Sequence, residues 1–211
     1  VYGAYVTLVQ TDIKRLIAYS SVSHMGLVLL GIGSVAATQG QITTIGLSGA
    51  AMQLFTHGTV TGLLFLAVGL VYDKTGTRYI PDLGGLAGRM PVVAVAMLIA
   101  GLASLGLPGL SGFVSELLVF LGAFQAYAWP TVLAVLGIVL AAGYILWMME
   151  RTFFGVRRER FAELTDASLV EAIPLAILLI TIVGVGVYPA LLTDVFQLGL
   201  NPMVDLLPGA G

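Results

Sequence analysis

The 211-residue chain contains no cysteine, which removes disulfides, thiolate zinc sites and cysteine-ligated iron–sulfur clusters from consideration. Charge is nearly as scarce. Only 9% of the residues are Asp, Glu, Lys or Arg, against about 25% in soluble domains, so a soluble globular fold is excluded. The net charge is −2, and no basic arm interleaved with aromatics is present. The electrostatic footprint of a phosphate-backbone binder is therefore missing, which excludes nucleic acid as a partner. Phosphate-loop, zinc-protease, paired-cysteine and nucleophile-elbow patterns are all absent. The chain is expected to do no covalent chemistry and to carry no cofactor of its own. It begins at Val1 inside an apolar run, with neither an initiator methionine nor a charged leader, and reads as part of a longer protein.

What is present is apolar length. Hydrophobic residues make up 58% of the chain, and its mean hydropathy is +1.02. A membrane-spanning helix needs roughly 20 mostly apolar residues. Segments of that kind lie near residues 13–33, 44–71, 92–127, 131–149 and 169–192, after a truncated first segment from Val1 to Gln10. The third full segment is too long for one straight span. It contains Gly106-Leu107-Pro108-Gly109-Leu110-Ser111-Gly112, which is expected to break it into two half-helices. The predicted fold is all-α: a polytopic transmembrane helical bundle of five full spans plus a truncated first one, the third full span broken at Pro108–Gly112.

If the spans alternate across the bilayer, all nine Lys and Arg residues fall in three connections on one side. These are Asp12–Arg15, Tyr72–Met90 and Glu150–Glu171. The opposite connections, Ser34–Thr43 and Gln125–Pro130, carry no charge, and the C-terminal tail carries only Asp194 and Asp205. The positive-inside rule then puts the basic connections on the cytoplasmic side or its equivalent and the C-terminus on the outer side. The Arg151–Arg160 stretch reads as a solvated connection or a docking surface for another subunit.

Against this background the few ionisable residues inside the apolar segments stand out. The 60 residues from Met90 to Met149 hold a single charged one, Glu116. An acid at mid-bilayer costs about 2.5–3.5 kcal/mol on insertion scales, and such residues usually face the bundle interior along ion pathways. The bland alternative is a structural carboxyl bonded to a neighbouring helix. Glu116 follows the Pro108–Gly112 break by one helical turn, so the positive end of a half-helix dipole favours its charged form while dehydration opposes it. Interrupted helices also carry ion sites in transporters.

His24 lies ten residues after Lys14, which sets it about 15 Å into the membrane. His57 falls in the middle of the 44–71 segment. Histidine suits proton relay because its ordinary pKa is about 6.5. Either imidazole alone could equally be a satisfied core residue; the shared depth of His24, His57 and Glu116 favours a row parallel to the membrane. Lys14 and Arg15 read first as interfacial anchors. Lys14 is also a candidate for the cytoplasmic end of the row, with Tyr19, Ser20, Ser21 and Ser23 beyond it either as supports for water or as plain helix contacts.

The stretch Thr11-Asp12-Ile13-Lys14-Arg15-Leu16-Ile17-Ala18-Tyr19-Ser20-Ser21-Val22-Ser23-His24-Met25-Gly26 resembles the signature of the antiporter-like subunit M, or chain 4, of NADH-quinone oxidoreductase, respiratory complex I. The likeness continues through Thr56-His57-Gly58, Leu107-Pro108-Gly109 and Ser111-Gly112-Phe113-Val114-Ser115-Glu116-Leu117. Phe113 to Phe120 is similar to the cyanobacterial and chloroplast version, whose electrons come from ferredoxin. The resemblance implies that residues 1–211 are the C-terminal part of a proton-translocating subunit, helices 10–14 of about fourteen, with the broken segment as helix 12. It implies Glu116 as the central protonatable group, His24, His57 and Lys14 as members of a hydrophilic axis, and redox-driven proton pumping as the activity. Flavin, iron–sulfur clusters and quinone would belong to other subunits. Sister antiporter-like subunits and the lipid bilayer would be the partners, in a bacterial plasma membrane or a thylakoid. Subunits of multisubunit sodium/proton antiporters and of membrane-bound hydrogenases share the architecture and are the alternatives, with an inert scaffold as the third. The connection Gly33–Gly46 departs from the family pattern by being longer. The Glu and Lys residues that the family carries on helices 5, 7 and 8 lie outside this sequence.

Overall fold

The computed structural model describes residues 1–36 and 44–204. The middle of the longer Gly33–Gly46 connection and the tail acid Asp205 lie outside the described residues. Among those described, the chain is helical throughout, with no β-strand beyond one isolated bridge between Asp12 and Tyr79. Eight helices follow in order: α1 Tyr2–Leu8, α2 Ile13–Gly33, α3 Ile45–Thr75, α4 Pro91–Ser104, α5 Ser111–Ala126, α6 Ala128–Met149, α7 Leu169–Val187 and α8 Ala190–Val204. A wide π-type turn, Glu150–Phe154, prolongs α6. Four helices, counting α6 with its extension, are long and apolar enough to cross a membrane, while α4 and α5 are apolar but shorter. Large apolar side chains such as Trp129, at 78% exposure, and Leu29 cover much of the outside. Lipid or neighbouring subunits are the surroundings such a surface requires.

The helix ends follow from local chemistry. Asp12 caps α2 by accepting the Arg15 N–H at 3.1 Å, as an N-cap carboxylate does. The same carboxylate pairs with Arg78 at 3.7 Å, and backbone bonds Ile13 N–H to Arg78 O and Ile80 N–H to Thr11 O tie the start of α2 to the connection after α3. Helix α3 stops at Gly76, whose φ of 73° supplies the left-handed cap. Helix α4 opens with Pro91 and borrows its cap from far along the chain: Asp166 accepts the Val92 N–H at 2.7 Å. Ser168 and Glu171 form a capping box on α7, and Glu171 pairs with Lys74 at 3.4 Å. The Arg-rich stretch is not simply solvated. Arg158 donates to the Pro81 carbonyl at 2.6 Å and Arg160 to that of Asp82, fastening the α6–α7 connection onto the α3–α4 connection.

Three expectations shift. The long third segment is interrupted, but over Leu105–Leu110, so that Ser111 and Gly112 already belong to the first turn of α5. The break uses Gly106 and Gly109, at φ 68° and 90°, whereas Ser111 and Gly112 have no need of such a conformation. The last apolar segment ends at Val187 rather than residue 192, because Tyr188-Pro189 turns the chain. A further helix, α8, then forms in what reads from the sequence as the C-terminal tail.

Small residues set the spacing of the central helices. A side chain at Gly49 or Gly46 of α3 would overlap the backbone of α5 or the end of α2, and one at Gly122 of α5 would overlap Gly46. In membranes such close approach replaces the hydrophobic effect as the cohesive term. Helices α2, α3 and α5 therefore lie backbone to backbone around one line, where the site forms.

Candidate functional site

On α2 the buried stripe is Ile13, Leu16, Ile17, Ser20, His24, Leu27, Val28 and Gly31, the spacing of one helical face. That face brings His24, only 6% exposed, against Glu116, 3% exposed, on α5. His24 Nδ1 lies 3.5 Å from Glu116 Oε1, within ion-pair reach and longer than an ordinary hydrogen bond. On the other side the His24 ring lies 5.3 Å from that of His57, centre to centre, with the planes tilted by 37°. The His57 ring is within 3.2 Å of Thr61 Oγ1, one turn further along α3. Thr61, His57, His24 and Glu116 thus form a continuous polar row drawn from three helices.

The carboxyl group of Glu116 lies against the α4–α5 interruption. A Cβ built on Gly106 would meet Glu116 Oε2 at 2.6 Å, and the positive φ of Gly106 also disfavours any side chain there. Glycine is therefore the residue that leaves room for the acid. Gly112 does the same for the Ala103 carbonyl, letting the first turn of α5 approach the last turn of α4. Replacing Gly106 by Ala is expected to push the Glu116 carboxyl away from its seat and to strain the turn by about 1–2 kcal/mol. The check is proton-coupled turnover in the assembled protein, expected to fall several-fold while Gly109→Ala, at an open position with no neighbour within 4 Å, affects stability alone.

Two cavities meet at this row. The larger, about 330 Å³, is lined by His24, Glu116, Ser23 and Ser104 with apolar side chains of α2 and α6. The smaller, about 10 Å³, is lined by Ser20, Gln53, Thr56, His57 and Thr61 together with His24 and Glu116. His24 and Glu116 line both and so stand between them. Gln53, Thr56 and Ser115 form a buried hydrogen-bonded cluster beside the row: the Ser115 hydroxyl donates to Gln53 Oε1 and lies 3.0 Å from Thr56 Oγ1. This cluster pins α5 to α3 one residue from Glu116. Thr56 and Ser115 lie inside the resembling motifs and Gln53 does not, but nothing in the sequence marked the three as one cluster, because Gln, Thr and Ser in an apolar run read as ordinary helix contacts.

Lys14 stands apart. It is exposed near the start of α2, about 15 Å along the helix from His24, in a groove of about 560 Å³ with Phe65, Val68, Gly69, Tyr72 and Arg78. The geometry unites Glu116, His24 and His57 and leaves Lys14 at the end of α2.

A helical membrane bundle with a carboxyl and two imidazoles buried in a row defines a class, integral membrane proteins with ionisable groups in their interior. Comparison with known proteins narrows it. Residues 1–141 match the family described as NADH:quinone oxidoreductase/Mrp antiporter, TM. The chain belongs to that family. It is 40% identical over 210 residues to F(420)H(2) dehydrogenase subunit M of Methanosarcina mazei, covering 100% of this chain and 41% of that protein. It is 44% identical over 195 residues to NADH-quinone oxidoreductase subunit M of Rhodobacter capsulatus, covering 92% and 37%. Its fold matches a chain of respiratory complex I from Thermus thermophilus with a TM-score of 0.86 at 35% identity, covering 97% of this chain and 41% of that one. The chain spans about two-fifths of the length of these relatives.

Proposed function

We propose that residues 1–211 are the C-terminal part, helices 10–14 of about fourteen, of a proton-translocating membrane subunit in a redox-driven quinone oxidoreductase. The observation that carries this reading is the Glu116 carboxyl, 3% exposed at a helix interruption and 3.5 Å from a histidine that stacks on a second one. Buried ionisable groups are costly in a membrane and mark ion pathways. A row of ionisable groups bordered by two cavities suits passage of a proton.

In this reading α4 and α5 together make one broken span, giving five full spans after the truncated one. The basic connections face the cytoplasm or its equivalent and the C-terminus faces outward. Electron transfer to quinone on other subunits changes the electrostatic surroundings of the row. A proton arriving from the Lys14 end then passes between His57, His24 and Glu116 and leaves on the outer side past the interruption. The work is a switch in the proton affinity of buried groups driven by neighbouring charge. Flavin, iron–sulfur and quinone chemistry belongs to partner subunits, and sister antiporter-like subunits are neighbours in a bacterial plasma membrane or a thylakoid. The electron donor is NADH or ferredoxin. The sodium/proton antiporter and membrane-bound hydrogenase alternatives rank below because relatives at 40% and 44% identity are subunits of F(420)H(2) and NADH-quinone oxidoreductases.

The test uses the complete complex in sealed vesicles, with protons moved per electron compared among wild type, His24→Ala and His57→Ala. Both variants are expected to assemble and to lose most of the translocation. Wild-type stoichiometry in both would overturn the relay.

A further inference from the structure

The relay leaves the arginine-rich connection between α6 and α7 without a part. Where that connection lies on the one between α3 and α4, a cavity of about 180 Å³ opens, lined by Arg89, Arg157, Arg158 and Glu159 together with Gly84 and Gly85. The two connections can approach because the glycines carry no side chains. A Cβ on Gly85 would meet Arg157 Cα at 2.7 Å, and one on Gly84 would overlap the Val156 carbonyl. Gly85 also sits at φ 63°, a conformation that favours glycine. The Arg157 guanidinium extends toward Gly88, where a Cβ would come within 3.2 Å of it. Arg158 is held in place by donating to the Pro81 carbonyl at 2.6 Å, which occupies one of the N–H groups of its guanidinium.

Charge in this cavity is unbalanced. Three arginines and a single acid, Glu159, line it, and none of the four joins an ion pair among the described residues. Arginines gathered in this way repel one another until an anion sits between them. A carboxylate offers about four acceptor positions, fewer than the N–H groups that three guanidiniums present. Phosphate supplies more oxygens and more charge, in a geometry that the arginine fork matches. The flanks of the cavity are apolar. Phe154 and Val156, just before Arg157 in the chain, are 59% and 86% exposed. Arg151 stacks over the Trp147 ring at 4.6 Å, and tryptophan of this kind belongs at the membrane interface. The cavity thus lies close to headgroup level, on the side where the positive-inside rule puts these connections and where anionic lipid attracts basic segments.

We propose that this cavity is a binding site for a phosphate group, carried by an anionic phospholipid of the adjacent leaflet or free in solution. Arg89 and Arg157, one from each connection, hold its oxygens, and Arg158, fixed by Pro81, adds the third cation. An occupied site ties the α3–α4 connection to the α6–α7 connection through a shared anion. The exposed side chains of Phe154 and Val156 favour the lipid as carrier, since acyl chains would cover them. The site takes no part in proton transfer and stands whether or not the relay does.

The test is protection of arginines from phenylglyoxal in the purified, delipidated full-length complex, read residue by residue by mass spectrometry. Phosphatidylglycerol, phosphatidylcholine and inorganic phosphate are added separately. Arg89 and Arg157 are expected to react without additions and to be slowed about tenfold or more by the ligand, while Arg15, exposed and outside the cavity, reacts throughout. Protection by phosphatidylglycerol alone assigns the site to lipid; protection by inorganic phosphate as well assigns it to free phosphate. Arg89→Gln should raise the ligand concentration needed to protect Arg157 about tenfold, the effect of losing a hydrogen bond to a charged group. Glu159→Gln should lower it several-fold by removing the one opposing charge, a change of sign that damage to the fold would not produce. Three results would overturn the site: arginines already unreactive in the bare complex, protection by phosphatidylcholine equal to that by phosphatidylglycerol, or no protection by any addition.

Discussion

Glu116→Gln is expected to yield a fully assembled complex whose proton translocation per electron falls close to zero, with coupled turnover slowed by about two orders of magnitude or more. That is the usual effect of removing a positioned proton-transfer group. Glutamine keeps the size of the side chain, so the seat against Gly106 and the packing of α5 on α3 are retained. What is lost is the ability to take up and release a proton and to balance a charge on His24, 3.5 Å away. Glu116 Oε2 makes no hydrogen bond among the described residues, so the substitution breaks no bond on that side. Vesicle pumping assays normalised to assembled complex provide the check.

The second large effect is structural. Gly122→Val is expected to lower assembly sharply, because a Cβ at that position would overlap the backbone of Gly46 and come within 3.2 Å of Ile45 C on α3. Neither neighbour is a flexible side-chain end, so relief requires α5 to move off α3. Overpacking of this kind costs about 1–3 kcal/mol in soluble cores, occasionally more, and here the same movement would open the Gln53–Thr56–Ser115 cluster and separate His57 from Glu116. Thermal unfolding and yield of the detergent-solubilised complex provide the measure. Gly184→Val, at an exposed position on α7 with nothing within 4 Å, is the control expected to behave like wild type.

Much of the architecture was legible because a bilayer leaves few options. Twenty-residue apolar runs, with every Lys and Arg in three connections, determine helices and their boundaries to within a few residues. Glu116 was visible as the only charged side chain in a 60-residue stretch, and His24 and His57 by their depth. The angular facts were not legible. Lys14 and His24 occupy one helix, and counting residues gives their separation along its axis, but which neighbour each meets depends on how α2 lies against α3 and α5. That arrangement is set by glycine contacts between residues far apart in sequence.

The interruption shows a related limit. Pro108 drew attention to its own position, yet the turn is made by Gly106 and Gly109, and helix resumes immediately afterward at Ser111. Asp166, likewise, was one acid among several in a polar connection. Its role as the cap of α4, 74 residues away by sequence, exists only once the two connections are folded together.

The most direct test of the central claim, that Glu116 is a working proton site, is infrared difference spectroscopy of the complete complex in membranes as quinone reduction is triggered. The account predicts a carboxylic-acid band that changes on turnover in wild type, is missing in Glu116→Gln, and is perturbed in His24→Ala. A wild-type spectrum in which no carboxyl band assignable to Glu116 changes during turnover would contradict it.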